Sequence, residues 1–199
     1  MISEESKQSI QLLCSDVGND IIQDFFVRMD DDYFTTFSPE EIATHIRMSS
    51  GLGSKHRVQV RVRPRPSSSG AFDIVIVGFD YLSEFSIFCG LLSAFGLDIR
   101  AGNIYSFSKR AASPSLPKIV DVFSVSLKEG EVFELAEQRH LEEELQTFAN
   151  LLAAGSIAEA RERLNRFLTE RIERMNAPLG GLLSPLEIQF DNQSAPDWT

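Results

Sequence analysis

The sequence predicts an α+β fold, a βαββαβ sandwich in which helices pack on one small sheet. The apolar run 74–77 leads into a polar turn, 80–84, and an apolar segment of helical character, 88–95, follows it. Two later runs, 98–105 and 118–125, are rich in the β-branched and aromatic residues that are typical of strands. The expected strands are therefore 73–79, 97–107 and 118–127, and the expected helix is 84–95.

Residues 1–52 are predicted as an N-terminal helical segment. Apolar residues recur there at helical spacing, namely Ile10, Leu13, Val17, Ile22, Phe26 and Met29. A further helix is expected to begin at Ser38, which can cap it, with Pro39 at the first helical position and Glu41 completing a capping box. This helix should end near 51–53, where two glycines occur.

Residues 53–130 are predicted as the sheet domain, with an extra strand at one edge. Val58, Val60 and Val62 alternate with polar residues, so that 57–63 reads as a half-exposed strand. The arginines between Arg57 and Arg65 form a basic stripe on the other face, which is either a solvated face or a docking surface for an acidic partner.

Residues 131–178 are predicted as an inserted αα-hairpin. Its first helix has an apolar stripe, and Gly155 ends that helix before a second one begins. The stripe consists of Leu141, Leu145, Phe148 and Leu152. Residues 179–199 are predicted as the last strand, 186–190, and a C-terminal tail that could lead into another repeat.

Several short motifs follow one another between Tyr33 and the C-terminus. They are Asp80-Tyr81-Leu82-Ser83-Glu84-Phe85 at the turn, then Gly90, Gly96, Asp98-Ile99, Asn103-Ile104 and Asp121-x-Phe123-x-Val125. The set resembles the tandem ACT region at the C-terminal end of protein-PII uridylyltransferases, in which the turn reads Asp-x-Pro-Gly-Leu-Phe. Segments 33–45 and 185–194 are similar to the passages that precede the first and second ACT domains of that family.

The resemblance implies an ACT-like (ferredoxin-like) fold and a non-catalytic regulatory module that senses an amino acid such as glutamine in nitrogen regulation. It also implies pairing with another ACT domain, as a homodimer or in tandem. The implied ligand-binding residues are Asp80, Tyr81, Leu82, Ser83, Glu84, Phe85 and Asn103. A ligand carboxylate would lie against the N–H groups that begin the helix. The chain departs from the family at Leu82 and Ser83, where the family has Pro and Gly, and a side chain there narrows the approach of a ligand to the backbone.

Catalytic signatures of the same family do not occur in this chain. Gly53-Ser54 is followed by no acidic residue in 55–66, whereas a nucleotidyltransferase turn needs a metal-binding Asp pair. None of His45, His56 and His140 precedes an aspartate. We therefore expect no enzyme activity, no cofactor and no metal site in this chain, which could still be the regulatory part of a nucleotidyltransferase. We expect Asp30–Asp32 to be a solvated helix end and His45 to be a packed histidine with a backbone partner.

Composition and charge narrow the classes of function and the cellular location that the sequence allows. The chain of 199 residues has a net charge of −10, which disfavours nucleic-acid binding because phosphate contacts require an excess of Lys and Arg. Cys14 and Cys89 lie far apart in apolar segments and are expected to be buried free thiols. No apolar run has transmembrane length, and the N-terminus lacks a secretory pattern, so we expect a cytoplasmic protein that binds no membrane.

Three functions stay open on the sequence: a regulatory module, a piece of an enzyme that positions missing catalytic domains, and a pure protein–protein interaction module. The helix at 84–95 favours pairing because it carries two apolar stripes, whereas a single sheet covers one. The stripes are Phe85-Phe88-Leu92-Phe95 and Ile87-Leu91-Ala94. We expect another protein surface, in a homodimer or an intramolecular pair, or the added helices themselves, to cover the second stripe.

Overall fold

A computed structural model describes residues 2–65, 70–107, 116–128 and 132–174. Within these ranges the chain forms seven helices and four strands. Their order is α1 (Glu4–Leu13), α2 (Asn19–Arg28), α3 (Asp31–Thr36), α4 (Pro39–Ser50), β1 (Val58–Pro64), β2 (Ala71–Phe79), α5 (Glu84–Ala94), β3 (Asp98–Ser106), β4 (Lys118–Ser126), α6 (Leu135–Ala153) and α7 (Ile157–Arg174). The prediction of an α+β fold is confirmed. No helix in the described ranges is long and apolar enough to cross a membrane.

The four strands form one antiparallel sheet in the order β1-β2-β4-β3. Each of the three strands predicted in the sheet and the extra edge strand is present, with ends within two residues of those expected. Because β4 lies between β2 and β3, the segment from β2 to β3 is a split β-α-β unit. The strand predicted at 186–190 lies outside the described residues, as does the whole of 179–199. The finer prediction of an ACT-type topology stays a prediction.

Helices cover both faces of the sheet. Alternation along β2 sends Ile74 and Ile76 toward α5, α6 and α7, and sends Val75 and Val77 toward α1–α4. This is why β2 and β4 read as continuous apolar runs rather than alternating ones. The sheet is thus the middle layer of three.

The N-terminal helices follow their local signals. Ser38 and Glu41 form both hydrogen bonds of the predicted capping box at the start of α4. The apolar residues Ile10, Leu13 and Val17 were predicted to share one helical stripe, but the helix is shorter than that stripe. α1 ends at Leu13, which is partly exposed, and Val17 lies in the connection to α2. Tyr33, the first residue of the segment that resembles the passage before the first ACT domain, lies fully buried in the short helix α3.

The apolar surface of α5 is covered within the chain. Ile87 and Leu91 of its second stripe belong to the same apolar cluster as Leu145, Phe148 and Leu164 of α6 and α7. At Gly90 the helices approach so closely that an added Cβ would lie 2.6 Å from Leu164 Cδ2. The added helices therefore cover the second stripe, and that stripe requires no partner protein.

Candidate functional site

The turn between β2 and α5 has an unusual backbone conformation. Ser83 has φ = 69°, in the left-handed region, and it is the single non-glycine residue with positive φ in the described ranges. A side chain in this conformation costs about 1 kcal/mol relative to glycine. The turn is held by hydrogen bonds from the Asp80 N–H to Pro117 O, 2.9 Å, and from the Glu84 N–H to Tyr81 O, 3.1 Å.

Ser83 occupies the capping position before α5 without capping the helix. The Ser83 side chain forms no capping hydrogen bond, because the left-handed backbone turns it away from the first-turn N–H groups. Its Oγ instead accepts from Arg161 Nη2 of α7 at 3.4 Å. A ligand carboxylate was predicted to lie against the backbone N–H groups of Ser83, Glu84 and Phe85. Of these, the Glu84 N–H already donates to Tyr81 O within the turn.

Two carboxyl groups lie buried beneath this helix start. Glu84, the first residue of α5, is 4% exposed, and Asp121 of β4 is fully buried. Glu84 Oε2 and both oxygens of Asp121 have no hydrogen-bond partner among the described residues. Native proteins rarely leave buried polar atoms unpaired, so this pair is an exception that stability alone does not explain.

Burial keeps both carboxyl groups protonated at pH values far above the ordinary pKa of a carboxylic acid. Burial, then Asp121 and Asp80, raise the pKa of Glu84 to about 9. Burial and the charge of Asp80 raise the pKa of Asp121 to about 7, although the nearby Tyr105 N–H opposes the shift without forming a hydrogen bond. Burial, followed by the two carboxyls, raises the pKa of the Cys89 thiol to about 11. The thiol is therefore protonated at neutral pH.

The predicted site residues are not all brought together. Asp80, Tyr81, Leu82, Ser83, Glu84 and Phe85 form the turn and the first residues of α5. Asn103 pairs with Val122, whose side chain packs toward α1–α4, so Asn103 lies on the opposite face of the sheet from α5. Ile104 pairs with Asp121 and shares the α5 face. The register of β3 therefore places Ile104 next to the buried carboxyl and leaves Asn103 away from the turn.

An apolar patch lies beside the turn. We define it by Leu82, Phe85 and Ile104, which are 78%, 49% and 43% exposed. Phe85 lies against Phe123, with ring centroids 6.2 Å apart, and the absence of a side chain at Gly102 leaves room between Phe123 and Ile104. Contiguous exposed apolar patches are a feature that many interaction surfaces share.

The outer edge of β3 adjoins this patch and is open. The Phe107 N–H bonds Lys118 O, so by alternation along an antiparallel pair Gly102, Ile104 and Ser106 direct their backbone N–H and C=O groups outward. These three residues are exposed, and no described residue bonds their outward groups. Among the described residues this edge has no Pro, no Lys and no covering element, and an edge of this kind can accept another strand.

The outer edge of β1 is protected. Gln146 Oε1 of α6 accepts from the backbone N–H groups of Arg57, 3.0 Å, and Val58, 3.5 Å. At the other end Pro64 has no N–H to offer. Between Val58 and Pro64, Val60 and Val62 are the residues whose backbone N–H and C=O groups point away from β2.

Other predicted features have structural roles. His45 is buried with the Tyr33 hydroxyl 2.7 Å from Nδ1, so its partner is a side chain rather than the expected backbone group. Asp31 and Asp32 occupy the first turn of α3, where negative charge is favoured. Cys14 and Cys89 are free thiols, Cys14 buried and Cys89 half-buried.

The basic stripe on β1 is largely engaged within the chain. Arg63 binds Glu41 at 2.7 Å and Asp73 at 3.2 Å, and Arg65 binds Asp73 at 3.1 Å. Arg57 donates to the Tyr81 hydroxyl at 3.0 Å. These contacts leave Arg61 as the member of the stripe with neither an ion pair nor a side-chain hydrogen bond to any described residue.

Sequence reasoning missed Asp121 as a buried group. The signal was present, since Asp121 interrupts the run Ile119, Phe123 and Val125 that faces the apolar core. Among the described residues, no group of three or more His, Cys, Asp or Glu side chains is arranged to hold a metal ion. Neither the family models nor the curated proteins compared with this sequence give a match.

Proposed function

We propose that this chain is a regulatory module of the ACT type that acts by pairing through β3 with another ACT-type domain, in the simplest case a second copy of itself. The observation that carries the proposal is the open β3 edge with the apolar patch beside it. Main-chain hydrogen bonds along such an edge provide affinity, and neighbouring apolar side chains provide specificity.

The contrast with β1 supports the choice of edge. A sheet with two free edges would invite uncontrolled association, and proteins commonly protect edges for this reason. Here Gln146 and Pro64 protect β1, whereas β3 has no such stop in the described residues. One protected edge and one open edge suit a single, defined partner.

The turn supports the likeness to ACT domains. Ser83 stands where that family has glycine, and its φ of 69° is the conformation for which glycine is the usual residue. The backbone at this position is therefore of the kind that the family motif requires, although the side chain differs.

The second part of the proposal is that the turn senses an amino acid. The Glu84 carboxyl is buried under the helix start, and the backbone N–H of Glu84 donates to Tyr81 O. Calorimetry with glutamine and other amino acids on Ser83→Gly and Glu84→Gln tests this part. Heat of binding from either variant would support a ligand site, and no heat from both would leave pairing as the function of the module.

Light scattering on the wild type and on Ile104→Lys tests the pairing. The lysine places a charge in the apolar patch and on the edge, so we expect a dimer for the wild type and a monomer for the variant at micromolar concentration. Val27→Lys is the matched control, because Val27 is 45% exposed on α2, similar to Ile104 at 43%. A wild-type monomer, or equal dimers for both variants, would contradict pairing through β3.

The role of a regulatory part in a longer nucleotidyltransferase is an alternative that depends on sequence outside this chain. Nucleotidyltransferase and His-Asp motifs upstream in the open reading frame would favour it. In that case the β3 edge would pair with a second ACT-type domain of the same protein.

A further inference from the structure

A cavity of about 130 Å³ lies on the face of the sheet opposite α5, between α4 and the strands. Its lining residues are Phe37, Glu40, Glu41, Thr44, His45, Arg61, Arg63, Val75 and Val122. Its size is comparable to that of an engineered cavity of about 150 Å³ that holds benzene. The cavity can therefore accommodate a small molecule but not a nucleotide or a peptide.

The inner part of the cavity is apolar and uncharged. Phe37, Val75 and Val122 are buried members of the apolar cluster between the sheet and α1–α4. Burial lowers the pKa of His45 to about 4, so its ring is neutral at physiological pH. With Nδ1 held by Tyr33, Nε2 is the remaining polar atom of the ring.

Most charges at the mouth are already paired. Glu41 accepts from the Ser38 N–H at 3.0 Å and from Arg63 at 2.7 Å, and Arg63 also binds Asp73. Arg61 has no hydrogen bond or ion pair to a described residue, and it is exposed beside this network. The Glu40 side chain, also at the mouth, has no described partner either.

We propose that this cavity binds a small organic carboxylate with an apolar body, whose carboxylate pairs with Arg61 and whose body lies against Phe37, Val75 and Val122. Arginine is suited to this role because its guanidinium matches the geometry of a carboxylate. A free amino acid and a simple carboxylic acid share this chemistry. Glu40 would contact the ammonium group of the former. The site does not depend on pairing through β3, so the two proposals can fail separately.

Three probes that share one branched apolar body distinguish a free amino acid from a simple carboxylic acid. Leucine carries both charges, 4-methylpentanoate carries the carboxylate alone, and 3-methylbutylamine carries the amine alone. Isothermal calorimetry and amide chemical shifts of α4 are expected to show binding of 4-methylpentanoate, of leucine, or of both, and no binding of the amine. Binding of leucine alone would identify an amino-acid site. Binding of the amine alone, or of none of the probes, would overturn the proposal.

Two variants test the location. Arg61→Gln removes the cation, and we expect affinity to fall by about tenfold or more, as for the loss of a hydrogen bond to a charged group. Arg139→Gln is its control, since Arg139 is also exposed and has no described partner. Thr44→Phe fills the cavity and should abolish binding with Arg61 intact. Circular dichroism confirms that each variant is folded. Wild-type affinity in folded Arg61→Gln or Thr44→Phe would overturn the site.

Discussion

The two halves of the sheet follow opposite rules. On the β1 side the edge is closed by Gln146 and Pro64, and the buried carboxylate Asp73 binds Arg63, Arg65 and the Ser124 hydroxyl. On the β3 side no described residue covers the edge or bonds the buried carboxyl of Asp121, and the helix above it follows a serine in the left-handed conformation. Local rules are commonly broken where a protein has a function, so the difference directs attention to the β3 half.

The largest contrast is expected from proline placed at two neighbouring positions of β3. Ile104→Pro removes an outward N–H, as Pro64 does on β1, and should abolish pairing while the fold is kept. Tyr105→Pro removes an inward N–H of the ladder with β4 and should cost about 3 kcal/mol or more. Light scattering and urea unfolding measure the two effects. Equal loss of stability in both variants would show that β3 is not oriented as described.

The two buried aspartates should respond in opposite directions to amidation. At pH 8 the folded chain buries the charged Asp121 carboxylate, and Asp121→Asn removes this charge, so the free energy of unfolding should rise by about 1–3 kcal/mol. Asp73→Asn weakens ion pairs with half-exposed arginines and should lower it by about 1 kcal/mol. Urea unfolding of both variants at one pH measures the difference, and destabilisation by Asp121→Asn would contradict an unpartnered carboxyl.

The pH dependence of stability follows from the raised pKa values. In the unfolded chain Asp121 and Glu84 lose their protons near pH 4, but in the folded chain they hold them to about pH 7 and about pH 9. The unfolded state therefore binds fewer protons in this interval, and stability falls as pH rises from about 4 to about 9. We expect Asp121→Asn to reduce the slope between about pH 4 and 7, and Glu84→Gln to reduce it over the whole interval and to flatten the part above about pH 7. A flat wild-type curve over this interval would disagree with burial of the ionisable pair.

A smaller gain is expected at the turn. Ser83→Gly removes the cost of a side chain at φ = 69° and should stabilise the protein by about 1 kcal/mol. Ser86→Gly is a suitable control, because Ser86 lies within α5, where glycine should destabilise by a similar amount. Thermal unfolding of both variants measures these shifts, and a loss of stability in Ser83→Gly would show that the Arg161 contact outweighs the backbone strain.

The smallest effect concerns the closed edge. Gln146→Leu removes the acceptor for the Arg57 and Val58 N–H groups and should cost about 1 kcal/mol. It should also open one end of β1 and allow association beyond the dimer. Sedimentation at increasing concentration checks this outcome, and an unchanged assembly state would mean that Pro64 and α6 suffice to protect the edge.

The elements were predictable because their signals are local. The Ser38–Glu41 capping box, the apolar run of β2 and the end of α6 at Gly155 each involve a few neighbouring residues. Which sheet edge is protected could not be predicted from the sequence. The protection of β1 depends on Gln146, which lies 89 residues after Arg57. The Tyr33 partner of His45 and the cover of α5 by Leu164 are likewise products of distant contacts. The turn was identified from its motif, but the buried carboxyl of Asp121 depends on the packing of α5 over β4.

Amide hydrogen exchange at two protein concentrations compares the two edges within one molecule. The outward amides of Gly102, Ile104 and Ser106 should become protected as concentration rises, because a partner strand then bonds them. The outward amides of Val60 and Val62 on β1 should exchange at the same rate throughout. Exchange at Ile104 that is independent of concentration, or new protection confined to β1, would contradict pairing through the β3 edge.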